Sequence, residues 1–366
     1  MLSPTDAVAL SFLPGRTRFA LVAWFRDRWP TAVDARRAGA PPPSLREIAT
    51  ALAAEDPRIV PGSLVPFLQD RATRSLARAR TAGIRPVVVG DPEYPRRLAA
   101  IHDPPVVLWV RGTPAALHQP AVAVVGARAA TPGAIQTARD LAAGLAAAGV
   151  VVVSGLARGV DAAAHAGALE TGSTVAVLGS GPDVIYPAEH RGLAAAVVAA
   201  GAVVSEWAPG TAPQGHHFPL RNRIISGLSL GVVVVEAAEK SGSLITARCA
   251  ADQGRDVMAV PGSVCAGRNR GAHALLRDGA RLVETAEDVL DEIGLLPPTA
   301  SGPAPPGNDP EPLDPVLAVM PRAEPVPVEQ LAALTALPAP TLLARLTTLE
   351  LDGRVARVPG GSYVRR

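Results

Sequence analysis

Ala121-Val-Ala-Val-Val125 runs straight into Gly126-Ala-Arg128, and Val150-Val-Val-Val153 into Ser154-Gly-Leu-Ala-Arg158-Gly-Val-Asp161. Each is an unbroken apolar run that stops at small and basic residues. Strands buried on both faces read this way, because no solvent side imposes polar alternation. Similar runs begin at Thr174 (Thr-Val-Ala-Val-Leu), Ala202 (Ala-Val-Val), Leu230 (Leu-Gly-Val-Val-Val-Val) and Asp256 (Asp-Val-Met-Ala-Val), with starts 24 to 29 residues apart. The gaps hold helical stretches, among them Thr137–Ala148, Ala162–Glu170 and Leu244–Gln253. Strands alternating with helices predict an α/β fold, a Rossmann-like doubly wound parallel sheet covered on both faces. Val87–Val89 and Val106–Val110 add strands ahead of it, which makes the fold an extended one.

Outward from that centre the composition changes. Residues 1–80 read as a small helical (SAM-like) domain, with helical spacing in Ala20–Phe25 and Leu45–Ala53. Ser44 and Glu47 have the spacing of a capping box. The Leu13-Pro14-Gly15 turn is either half of a DNA-binding helical hairpin or a turn within a helical packing domain. Residues 81–296 form the Rossmann-like domain. Eight prolines between Pro297 and Pro315 mark a linker over 297–315. Residues 316–366 then give three short helices, Val316–Met320, Val328–Leu334 and Thr341–Leu351, and a hairpin after Asp352-Gly353. That is the winged-helix outline. Arg354, Arg357, Arg365 and Arg366 make its wing basic, open equally to nucleic acid or to protein docking.

The chain has 366 residues, 48% hydrophobic residues and a formal net charge of +2, which excludes disorder throughout. Two cysteines, Cys249 and Cys265, form neither a disulfide framework nor a metal-type pair, which points to a reducing cytoplasm. The longest apolar stretch, Leu193–Val204, is too short to span a membrane, and the first basic residue is Arg16, so no secretory leader is expected.

In an open parallel sheet, ligands bind beyond the carboxyl ends of the strands. The loops there carry Arg128, Arg158, Lys240, Ser241, Gly242 and Ser243, and Phe218-Pro-Leu-Arg221-Asn222-Arg223 precedes the fifth strand of the series. Small residues let backbone N–H groups approach a phosphate, and five basic side chains on one rim predict an anionic ligand. Lys240 is the chain's one lysine among 35 basic residues. Genomic base composition explains the arginines, and a lysine kept in a Ser/Gly turn suits a phosphate point charge.

No dinucleotide fingerprint follows the first strand, and no Gly-Lys-Ser/Thr loop exists, so neither NAD nor ATP is expected as a cofactor. Ser154, Asp161 and His165 lack triad placement, and His216-His217 lack partners at metal-ligand spacing. No catalytic residue and no metal are predicted. A polymer backbone remains, held by a basic groove with Phe218 either as a stacking platform or as a core residue.

Five motifs in order carry a resemblance: Gly126-Ala-Arg-x-x-Thr-x-x-Gly133, Ser154-Gly-Leu-Ala-Arg-Gly-Val-Asp-x-x-Ala-His165, Tyr186-Pro187, Phe218-Pro-Leu-Arg-Asn-Arg-Ile-Ile225, and Glu236 through Ser241-Gly-Ser-Leu-Ile-Thr-Ala247 with Pro261-Gly262. Over about residues 86–293 they resemble the DNA processing protein A (DprA/Smf) family. The resemblance implies a single-stranded DNA binder that loads the recombinase RecA onto incoming DNA in natural transformation. It also implies a homodimer formed through the Rossmann-like domain, and no enzymatic activity. Arg128 corresponds to the arginine of the family's Gly-Ser-Arg motif, and Phe218 to an aromatic position near DNA. Ala127 replaces the motif serine, and Ala188-Glu-His190 stands where relatives often carry a basic residue, leaving Lys240 or Arg221 to substitute. The rival reading is a phosphoribohydrolase-like nucleotide-processing enzyme. It requires a glutamate where this sequence has Arg248.

Overall fold

The computed structural model describes residues 3–12, 50, 64–264, 267–295, 314–321, 325–358 and 361–365. The expectations for Leu13-Pro14-Gly15, Ala20–Phe25, Ser44 with Glu47, nearly all of Leu45–Ala53, most of the 297–315 linker, Cys265 and Arg366 lie outside the described residues.

Nine strands form the main sheet: β1 (Ile84–Val88), β2 (Val107–Gly112), β3 (Ala121–Val125), β4 (Val151–Ser154), β5 (Thr174–Leu178), β6 (Ala202–Ser205), β7 (Gly231–Val234), β8 (Asp256–Ala259) and β9 (Arg281–Leu282). Their spatial order is β1-β2-β6-β5-β4-β3-β7-β8-β9. From β6 through β9 every pairing is parallel, whereas β1 with β2 and β2 with β6 are antiparallel. The chain fills the sheet outward from β3 to β6, then returns to place β7 on the other side of β3. The crevice between the loops after β3 and β7 is therefore the topological switch point.

The helices that position the site follow the expected gaps. They are α1 (Pro4–Ser11), α2 (Leu64–Thr81), α3 (Arg96–Ala99), α4 (Pro132–Ala147), α5 (Val160–Thr171), α6 (Arg191–Ala200), α7 (His217–Leu228), α8 (Ser243–Asp252), α9 (Arg270–Arg277) and α10 (Ala286–Glu292). Thr131 caps α4, its hydroxyl accepting from the Ala134 N–H at 3.2 Å, with Pro132 at the first turn. Residue parity divides β3 between two cores. Ala121, Ala123 and Val125 pack with Ile224, Ile225 and Leu228 of α7, and Val122 and Val124 with Leu141 and Leu145 of α4. Both faces are thus covered, which is why the strands are continuously apolar. A third cluster joins α1 and α2 to Ile84, Val88, Val107 and Trp109 of β1 and β2.

The tail contains α11 (Pro315–Val319), α12 (Val328–Thr335) and α13 (Ala339–Leu351), with β10 (Val326–Pro327), β11 (Val355–Val358) and β12 (Ser362–Arg365). The strands form an antiparallel sheet in the order β10-β12-β11. Leu331, Leu342, Leu346 and Tyr363 are among its core residues. The expected hairpin is present, and β10 adds a third strand too short to carry an alternation signal.

Candidate nucleic-acid interface

The loop Ser154–Gly159 is built around a buried carboxylate. Asp161, in the first turn of α5, accepts the Gly155 and Ala157 N–H groups on Oδ2 at 3.1 and 3.3 Å. Between them Leu156 lies fully buried at φ +57°, a left-handed conformation held by this packing. Burial pushes the Asp161 carboxyl up, while nearby Arg221 and the two N–H groups pull it back. His165, one turn further, is buried with Nδ1 2.7 Å from Thr174 Oγ1. Desolvation, with Arg221 and His190 adding to it, pushes its pKa down to about 3, so it is neutral at pH 7. His165 is fully buried, while Asp161, 6% exposed, reaches the edge of the neighbouring cavity with one carboxylate oxygen tied to its own loop.

A cavity of about 690 Å³ opens at the switch point. It is lined by the loop after β3 (Gly126, Arg128), the start of α7 (Phe218, Arg221, Asn222), the turn before α8 (Ser241, Gly242, Ser243) and Tyr186. Phe218 is half-buried, and a Cβ on Gly179 would stand 2.9 Å from its ring, so glycine is what lets the ring seat there. The Tyr186 ring lies 5.5 Å from the Phe218 ring, tilted by 42°, and the exposed Arg128 guanidinium lies 5.6 Å from its centroid. Ser241 and Ser243 share a hydroxyl–hydroxyl bond of 2.7 Å. The site thus has an aromatic floor, small polar walls and a cation at its lip.

The five basic residues expected to converge on this rim divide instead. Arg128 and Lys240 are exposed and, among the described residues, in no ion pair; Lys240 stands just outside the lining. Arg221 lines the cavity but is 5% exposed, and its Nε and Nη1 are engaged within the protein. It donates to Gly155 O at 2.7 Å and Asn222 Oδ1 at 3.0 Å, and closely to Val177 O. A Cβ at Gly155 would overlap that guanidinium, which explains the glycine. Burial lowers the Arg221 pKa to about 10, leaving it charged. Asn222 ties Arg221 to the Gly242 carbonyl, 3.3 Å from its Nδ2, and so positions the wall.

Arg223 requires a correction. Its side chain is 15% exposed and makes a bidentate pair with Glu206 at 2.9 and 3.0 Å, plus a 3.1 Å contact to Asp103. Burial works against its charge, but Glu206 and Asp103 raise its hold on the proton. A guanidinium so engaged is structural, and breaking such a pair typically costs about 3–5 kcal/mol. Arg158 remains on the surface but is paired with Glu189 at 2.6 Å. That acid is the middle residue of Ala188-Glu-His190, so the departure noted in the sequence also neutralises its neighbour. Tyr186, which the sequence shows only as part of a motif, is a wall of the site, and nothing local signals that it meets Phe218.

In the tail, α13 is the helix that a double-strand reader would place in a groove. Its exposed residues include Thr341, Leu343, Thr347, Thr348 and Glu350. Its one cation, Arg345, pairs with Asp314 at 2.6 Å.

An α/β Rossmann-like domain with a ligand cavity at its switch point, followed by a winged helix, defines the class. The family model described as DNA recombination-mediator protein A matches residues 85–294, and the DprA winged helix domain matches 298–361. Protein Smf of Escherichia coli K12 is 44% identical over 280 residues, 74% of this chain and 75% of that protein. The crystal structure of DNA processing protein A from Streptococcus pneumoniae aligns with TM-score 0.65 at 35% identity, covering 79% of this chain and 98% of that one. DNA processing protein A from Helicobacter pylori, whose structure is described for its single-stranded DNA binding mode, aligns with TM-score 0.53 at 29% identity, covering 57% and 95%. The chain belongs to the DNA processing protein A family.

Proposed function

We propose that this protein binds single-stranded DNA across the switch-point crevice and hands it to RecA during natural transformation, acting in the cytoplasm as a homodimer and without catalysis of its own. The observation that carries the reading is the pairing of free cations, Arg128 and Lys240, with the aromatic cavity of Phe218 and Tyr186. Unstacked bases have faces to offer such a cavity, and a duplex hides them. The DNA-binding mode described for the Helicobacter relative supports the choice of ligand.

Nearby carboxylates are committed to structure, which supports a non-enzymatic role. Glu236 accepts the Thr131 hydroxyl at 2.6 Å and the Thr131 N–H at 3.3 Å, and Asp161 holds its own loop. Among the described residues, no group of three or more His, Cys, Asp or Glu side chains could hold a metal ion. No helix among them is long and apolar enough to cross a membrane. Any double-strand contact through the tail rests on the wing arginines Arg354 and Arg357 and is weak.

Gel shifts with single- and double-stranded oligonucleotides across a salt series test the reading. Single strands should bind more tightly at every salt concentration, and adding the protein should speed RecA assembly on them. Equal affinity for both forms, or cleavage of nucleoside monophosphates, would overturn it. Light scattering of a chain ending at Gly294 should still give a dimer, since the linker-tethered tail is not expected to supply that interface.

A further inference from the structure

The free cations of the rim are not spread evenly over the sheet. On the β4–β6 half, Arg158 is neutralised by Glu189 and Arg223 by Glu206 with Asp103, which leaves the exposed Arg191 at the start of α6 as an arginine in no ion pair among the described residues. On the other half, β3, β7 and β8 are consecutive neighbours in the sheet. Arg128 follows β3 and Lys240 follows β7. After β8 come two more exposed arginines, Arg268 and Arg270. Arg268 Nη1 donates to Ala129 O at 2.8 Å, which sets that guanidinium against the residue following Arg128. One bond uses one of its five N–H donors. The Arg270 side chain makes no hydrogen bond among the described residues, and neither arginine forms an ion pair there. Glu239, beside Lys240, is an exposed acid on this half of the rim.

We infer that Arg268 and Arg270 form a second phosphate-binding station, so that a nucleic-acid strand seated in the cavity continues across the β8 end of the rim. This rests on the proposed single-strand function and adds a direction to it. The strand leaves over β7 and β8, where Lys240, Arg268 and Arg270 are all without an ion pair among the described residues, rather than over β4 to β6, where Arg158 and Arg223 are paired and Arg191 stands alone. Counterion release makes such free cations effective ligands for a polyanion, whereas a paired arginine must first break its pair.

Fluorescence anisotropy with oligothymidylates of two lengths tests this. A strand of about 4 nucleotides fills little more than the cavity, and one of about 16 nucleotides reaches beyond it. Arg268→Ala/Arg270→Ala should leave the short strand's affinity unchanged. For the long strand it should lower affinity roughly tenfold and make the plot of log affinity against log salt shallower by about 1.4, or ~0.7 per phosphate. Arg268→Lys/Arg270→Lys should restore most of the slope, because charge rather than geometry is claimed. Arg270→Ala alone, which removes no hydrogen bond, should give about half the slope change and guards against misfolding. Equal losses at both lengths, or none at either, would overturn the second station. Failure of the cavity reading itself would look different: Arg128→Ala would then leave both lengths unaffected.

Discussion

The crevice between β3 and β7 and the exposed face of α13 are both places where nucleic acid could lie, yet their surfaces differ in kind. At the crevice, Arg128 and Lys240 stand free beside an aromatic cavity. On α13, Arg345 is held by Asp314, whose other oxygen accepts the Val316 N–H at 2.9 Å and caps α11. The remaining exposed residues of the helix are uncharged apart from Glu350. The difference teaches that a count of arginines says little about a polyanion site until their partners are known. Surface ion pairs contribute little to stability, about 0–1 kcal/mol, but they withdraw a cation from other uses.

The largest effect that would break this comparison is expected from Arg128→Ala/Lys240→Ala. Single-strand affinity should fall by one to two orders of magnitude, with a salt slope shallower by about 1.4 for two lost phosphate contacts. An unchanged slope, measured by anisotropy over a salt series, would mean that the free cations do not meet phosphate. Next in size is Phe218→Ala. Losing a stacking platform should cost about 1–3 kcal/mol per base while leaving the salt slope as it was. That split between affinity and slope separates the aromatic floor from the cations at its lip, and a reduced slope would contradict it. The smallest effect should come from removing residues 297–366. The proline-rich linker lets the tail add binding mainly through effective concentration, so long single strands should bind within about tenfold, or ~1.4 kcal/mol. Abolished binding would put the principal site on the winged helix and reverse the comparison.

Much of the architecture was legible along the chain. The apolar runs at Ala121, Val150, Thr174, Ala202, Leu230 and Asp256 each contain a strand of the sheet, within one residue of where it starts. The loops after β3, β4, β5, β6 and β7 contribute to the cavity lining, and the loop after β8 does not. Strand and helix periodicity are local properties of neighbouring residues, so a sequence read in order exposes them. Other features were too short to signal: β9 and β10 are two residues each. The reversed direction of β2 was equally silent, because an apolar run reads the same in either direction.

Sequence alone determined the fold class, the order of its elements and the set of loops that could meet a ligand. Tertiary structure decided which of five basic residues are free. Arg223 finds Glu206 and Asp103 from 17 and 120 positions away, Arg158 finds Glu189 from 31, and Arg221 reaches Gly155 from 66. Whether a cation is available depends on which acceptors lie within a few ångströms of it, and folding brings those from distant parts of the chain. The same closure placed Tyr186 against Phe218, and Arg268 beside the loop that carries Arg128. A periodic pattern specifies strands and helices, but the charge left over at their ends is a property of the assembled sheet.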